Sequence, residues 1–342
     1  MEIKENILVK YNDDSEDTVI TIPEGVTEIG GGAFWHCKKL QEVIIPDSVK
    51  IINDNAFNKC TNLRKITIPE GVIEIGKEAF SECLKLEKIT IPDSVTKIGE
   101  YAFFSCKNIS EITIPKGLNS IEEGVFSTCI NLSNITIPNN IKSIGKKAFS
   151  FCCKLKEINL SNGLESIGCE AFRECAFEKV TIPDSVNLIE EQAFMFCSNL
   201  TTIKLPQSLT SVDGYCFSFC ENLKNISIPD NVSKIGKNAF SNCLNLKNVN
   251  LPSNLKELDN DVFFRCENIE NVTLPKSLTS IGNFCFAYCE KLKNINVPNN
   301  VTNIGNRAFY SCSAMKSIEI PENLNIEKGT FSCNTKIITR QV

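Results

Sequence analysis

Apolar residues recur along this chain with a step of 23 residues, and the prolines keep the register. All thirteen prolines fall on one lattice, from Pro23, Pro46 and Pro69 to Pro138 and again from Pro183 to Pro321. The gap between Pro138 and Pro183 holds a coil in which Ser161 takes the proline position, and that 22-residue coil is shortened around Cys175, Ala176 and Phe177. With the proline as position 0, position 3 is Val, Leu or Ile and position 6 is Ile, Val or Leu. Position 11 is Phe in every full coil, and positions 17, 20 and 22 are apolar. The unit reads L-x-x-I-x-I-P-x-x-V-x-x-I-G-x-x-A-F-x-x-C-x-x.

The L-x-x-I-x-I part alternates at its end, as a strand with one buried face does. The proline then removes a ladder donor and stops it. Gly76, Gly99 and Gly236, at position 7, are expected to permit a turn into about two helical turns, on which Ala, Phe and Cys at positions 10, 11 and 14 share a face. One such unit cannot bury its own apolar edge. A stack of them can, each coil packing its Ile, Leu, Phe and Cys on those of its neighbours.

The stretches ITIPDSVTKIGEYAFFSCKNI and LPKSLTSIGNFCFAYCEKL carry this signature at every constrained position, and the pattern resembles the BspA-like class of leucine-rich repeats from about Ile20 to Cys333. The resemblance implies an α/β repeat solenoid: a right-handed leucine-rich-repeat horseshoe with a concave parallel β-sheet and short helices on the opposite side. It also implies surface or secreted proteins of host-associated bacteria and parasitic protists, several of them adhesins for host matrix or plasma proteins. Residues 1–19 are expected as an N-terminal cap, 20–333 as about fourteen coils and 334–342 as a C-terminal cap or tail.

Composition narrows the partners. The net charge is −5 and no run of Lys or Arg could neutralise several phosphates, so nucleic acid is not expected. No apolar segment is long enough for a membrane span, and the start, MEIKENILVKYNDDSEDT, has no basic region, apolar core or small-residue cleavage site of an export signal. The resemblance points to the cell surface, whereas the start leaves a cytoplasmic location open.

Thirteen of the eighteen cysteines occupy position 14, from Cys37 to Cys312. Stacked side chains point in parallel, which disfavours the dihedral of a disulfide, so each thiol is expected to fill a small apolar slot beneath the Phe. Cys216 and Cys285 take the position-10 Ala slot and are expected in the core, while Cys153 and Cys169 are the expected exposed thiols. With a single histidine, His36, there is little scope for a nucleophile dyad or a zinc site, and the glycines of EIGGGAF lack phosphate-loop spacing. No enzyme and no cofactor are expected. The N-x-[ST] triplets at Asn134, Asn225 and Asn271 arise from the strand pattern and matter only in a glycosylating pathway.

What remains is surface. If positions 20 and 22 face inward, positions 19 and 21 face outward from the sheet. The predicted partner-binding face at its centre comprises Thr90, Thr113, Thr136, Asn159 and Thr181 beside Glu111, Asn134, Glu157 and Lys179. Such a polar groove can hydrogen-bond a protein or a glycan. A rival surface is the helical flank, where positions 12 and 13 carry Trp35, Phe104, Phe151, Met195, Phe196, Phe219, Phe264, Tyr288 and Tyr310. The sequence therefore reads as a non-catalytic protein-binding module, either an adhesin or an intracellular scaffold.

Overall fold

The computed structural model describes residues 1–12, 16–322, 324–327 and 329–341. The chain forms two compact units, Met1–Leu164 with Ala171–Cys175, and Glu165–Glu170 with Ala176–Val342. Each unit is a parallel β-solenoid, and most coils contribute two short strands.

The first strand occupies positions 19–21, as in Glu111–Thr113 and Asn134–Thr136, which pair in parallel with Ile112 opposite Ile135 and Thr113 opposite Thr136. The second occupies positions 5–6, as in Ser120–Ile121 and Ser143–Ile144. In the first unit the second-strand sheet starts with an antiparallel hairpin of Glu2–Lys4 and Ile7–Lys10, the latter pairing in parallel with Glu28–Ile29. In the second unit the first-strand series ends with Ser317–Pro321 alongside Lys336–Arg340.

The expected short helices are absent from the described residues. Positions 7–14 form a ladder of turns instead, because positions 9 and 13 of each coil adopt left-handed backbone: Asn55 and Lys59, Tyr101 and Ser105, and Gln192 and Phe196 all have φ between 56° and 62°. A left-handed residue every fourth position interrupts any helix. The turn also splits its hydrogen bonds between two directions. The N–H groups of Tyr101, Phe103 and Ser105 donate to Glu123, Val125 and Ser127 of the next coil at 2.8–3.0 Å, whereas those of Ala102, Phe104 and Cys106 donate three residues back within the coil. The backbone is thus satisfied in a region that forms neither helix nor strand.

Position 7 differs from expectation too. Its glycines do not have positive φ; they are small because the coils approach closely. A Cβ on Gly236 would lie 2.7 Å from the Gly214 nitrogen. Most left-handed positions carry unbranched residues, but Thr128 does not, at φ 63°. A β-branched side chain is strained there. Thr128→Asn is expected to raise stability by about 1 kcal/mol, read as a higher urea midpoint; an unchanged or lower midpoint contradicts the strain.

The core follows the predicted positions. Val95, Phe103, Cys106 and Ile109 are fully buried, and their counterparts along the chain are buried. The position-11 rings stack face to face, from Tyr11 and Phe34 to Phe172 in the first unit at 4.9–5.6 Å and from Phe194 to Phe331 in the second at 5.3–5.6 Å.

Candidate functional site

The thiols are part of the scaffold. Fifteen of the eighteen are buried, including Cys216 and Cys285; Cys153 and Cys333 are exposed and Cys169 is half-buried. They do more than fill an apolar slot. Cys106 Sγ donates to the Phe80 carbonyl at 3.1 Å and Cys129 Sγ to Phe103 at 3.2 Å, and the same 26-residue link recurs from Cys60 to Cys312. Each thiol therefore ties its coil to the one before. Burial pushes these thiols up, Cys129 and Cys312 to about 12, so they are poor nucleophiles. His36 is exposed on a turn with its ring 5.4 Å from Trp35. Among the described residues no group of three or more His, Cys, Asp or Glu could hold a metal ion, and no helix is long and apolar enough to cross a membrane.

The nine residues predicted for the partner face are all exposed. Five of them come together. Thr90, Glu111, Thr113, Asn134 and Thr136 line, with Lys88, a depression of about 260 Å³ on the first-strand face of the first unit. Lys88 and Glu111 form an ion pair at 3.7 Å, with side chains 75% and 58% exposed. A pair so exposed contributes at most about 1 kcal/mol, so exchanging it for a partner's charges costs little. The hydroxyls of Thr90, Thr113 and Thr136 and the Asn134 amide make no hydrogen bond to the described residues, whereas Thr96, Thr201 and Thr279 elsewhere spend theirs on backbone carbonyls.

The expected continuous sheet is interrupted. Residues 157–160 form no strand, so Glu157 and Asn159 lack the register that Thr113 and Thr136 have. The break falls where Ser161 replaces the proline. Lys179 and Thr181 belong to the second unit, paired with Thr202 and Lys204. Position 19 is also less open than expected. Lys65 reaches Glu42 at 2.6 Å one coil away, and the Asn248 amide donates to Asn225 at 2.6 Å. The second-strand face escaped prediction altogether; there Lys97 pairs with Glu74 at 2.6 Å. Its only signal was a position 5 that is polar in most coils, Ile51 and Leu188 excepted, before a buried position 6, too short a run to show alternation.

The flank aromatics are mostly half-buried against one another. Phe196 and Phe219 stack at 4.6 Å, Tyr288 meets Phe264 and Tyr310 edge to face at 5.4 and 5.6 Å, and Trp35 stays 59% exposed. The rings cover ridges between coils.

Stacked parallel coils of short strands, with buried Leu and Ile recurring at each turn, define a leucine-rich-repeat solenoid. The model of the BspA type leucine rich repeat region matches residues 27–155, 142–270 and 256–341, and the chain belongs to that family. It is similar to the crystal structure of a leucine-rich repeat protein from Bacteroides ovatus, with 32% identity over 95% of this chain and 84% of that one and a TM-score of 0.85. A leucine rich cell surface protein from Faecalibacterium prausnitzii is 29% identical over 93% of this chain and 91% of its own, with a TM-score of 0.60. A leucine-rich repeat protein from Eubacterium ventriosum, at 24% identity over 95% and 92% and a TM-score of 0.61, shares the fold. No curated protein sequence matches the chain. The family and these neighbours are repeat proteins of a kind generally used for protein interaction.

Proposed function

We propose that the protein is a non-catalytic interaction module that docks a protein partner on its first-strand face, centred on the depression around Thr113. The observation that carries this reading is the set of unspent polar groups on Thr90, Thr113, Asn134 and Thr136 around one weak ion pair. Such groups exchange hydrogen bonds to water for hydrogen bonds to a partner without first breaking any within the chain. Glu157 and Asn159 of the first unit are included in this surface, and Lys179 and Thr181 present the same face chemistry within the second unit. Similarity to a cell surface protein supports adhesion as the setting, on the face that the family resemblance makes concave. The alternative is an intracellular scaffold using the same surface. The hairpin at Glu2–Lys10 and the strand Lys336–Arg340 serve as caps that cover the apolar ends.

Replacing both Thr113 and Thr136 by Arg should leave the far-ultraviolet circular dichroism unchanged, since both side chains point outward. It should weaken capture of a partner by about tenfold or more, through bulk and unpaired charge. Unchanged capture by the Thr113→Arg, Thr136→Arg protein, with loss in a folded Phe196→Ser, Phe219→Ser protein, would move the site to the flank.

A further inference from the structure

In the second unit two depressions meet at Lys276. One, of about 410 Å³, is lined by Asn250, Ser253 and Thr273; the other, of about 490 Å³, by Asn296, Asn299, Glu319 and Arg340. Together they make a groove along the ends of the first strands.

Arg340 organises one side of it. Its Nε and Nη2 donate to Asn299 Oδ1 at 3.0 and 2.8 Å, its Nη1 donates to Asn296 Oδ1 at 3.0 Å, and Nη2 also reaches the Val297 carbonyl. A guanidinium has donors only, so the amide oxygens must face it. Both Nδ2 groups therefore turn away from Arg340, and neither has a hydrogen-bond acceptor among the described residues. Lys276 lies exposed between the depressions and forms no ion pair among the described residues. Among the described residues Glu319 is the one acidic side chain in the lining, 3.7 Å from Arg340. Two cations against one carboxylate leave the groove locally positive on a chain of net charge −5.

Fixed N–H donors and an unpaired ammonium call for a ligand rich in acceptors and carrying negative charge. The backbone at the groove is already committed, since Asn248 and Val249 pair with Asn271 and Val272, so a peptide could not add there as a strand. Among the described residues the lining has no aromatic side chain to anchor a protein partner. Short amides and hydroxyls on Asn250, Thr273 and Asn296, repeated at the strand spacing of about 4.8 Å, suit a chain of sugar hydroxyls. We propose that this groove binds a carboxylated oligosaccharide, with Lys276 taking a carboxylate and the Asn296 and Asn299 amides donating to sugar oxygens. The site is separate in residues from the protein-docking face proposed for the first unit.

Isothermal titration of the full chain at low salt with hexagalacturonate, its methyl ester, a hyaluronan hexasaccharide and a hexaglutamate peptide tests this. At least one of the two acidic sugars should bind. Affinity should fall about tenfold in Lys276→Gln, again in Asn296→Ala with Asn299→Ala, and for hexagalacturonate on methyl esterification. The Thr113→Arg, Thr136→Arg protein should bind the sugar like wild type, so failure of the first-unit face and failure of this groove are told apart. Absence of binding by both acidic sugars, equal binding to Lys276→Gln, or tighter binding of hexaglutamate would overturn the proposal.

Discussion

Above pH 9 the folded protein is expected to lose stability steeply. In the first unit, burial pushes the thiols of Cys83, Cys106, Cys129 and Cys152 above their ordinary value, with smaller opposing hydrogen bonds from the backbone. An unfolded thiol titrates at about 8.5. Below that pH both states hold the proton and these groups contribute no pH dependence. Between the ordinary value and the raised one, about 12 for Cys129, the unfolded chain releases protons that the folded chain keeps. The unfolded state then binds fewer protons, so unfolding becomes easier as pH rises. Each thiol contributes up to about 1.4 kcal/mol per pH unit, so four of them contribute roughly 5 kcal/mol per unit, comparable to the whole stability of a small domain. Urea midpoints followed by circular dichroism under reductant should drop sharply between pH 8.5 and 10.5. In Cys83→Ala with Cys106→Ala the drop should be shallower by about two thiols' worth. A midpoint that stays level over that range would mean the thiols are bonded or accessible.

Phe149→Ala is expected to cost about 3–5 kcal/mol, the range for deleting a large buried ring. Phe149 is fully buried and stacks on Phe126 at 5.5 Å and Phe172 at 5.6 Å, so truncation empties one rung and strips a face from each neighbour. A solenoid's stability is close to a sum of neighbour terms. Hydrogen exchange should therefore rise most in the coils of Phe126, Phe149 and Phe172 and least around Phe34 and Phe57. An equal rise throughout the first unit would contradict nearest-neighbour coupling.

The core was legible because it obeys a strict period: Val95, Phe103, Cys106 and Ile109 are buried where the repeat places them. The turn ladder was not. Ala, Phe and Cys at positions 10, 11 and 14 have helical spacing, and the left-handed residues that break the helix are as varied as Asn55, Glu78, Tyr101 and Gln192, so no residue type announces them. Their compensation is also nonlocal, since the Phe103 N–H is satisfied by Val125 of the next coil and nothing near Phe103 encodes that. Five of the nine predicted face residues converge because strict register carries Glu111 to Asn134 and Thr113 to Thr136. Glu157 and Asn159 sit in no strand, beside the one coil whose proline is missing, a local irregularity that the repeat pattern alone gives no means of converting into geometry.

The most direct measurement places a photo-crosslinking side chain at one position at a time, Thr113 or Thr136 on the strand face and Phe196 or Phe219 on the flank, and irradiates each protein with its captured partner. Docking on the first-strand face gives covalent adducts from positions 113 and 136 and none from 196 and 219. Adducts from 196 and 219 alone would contradict it.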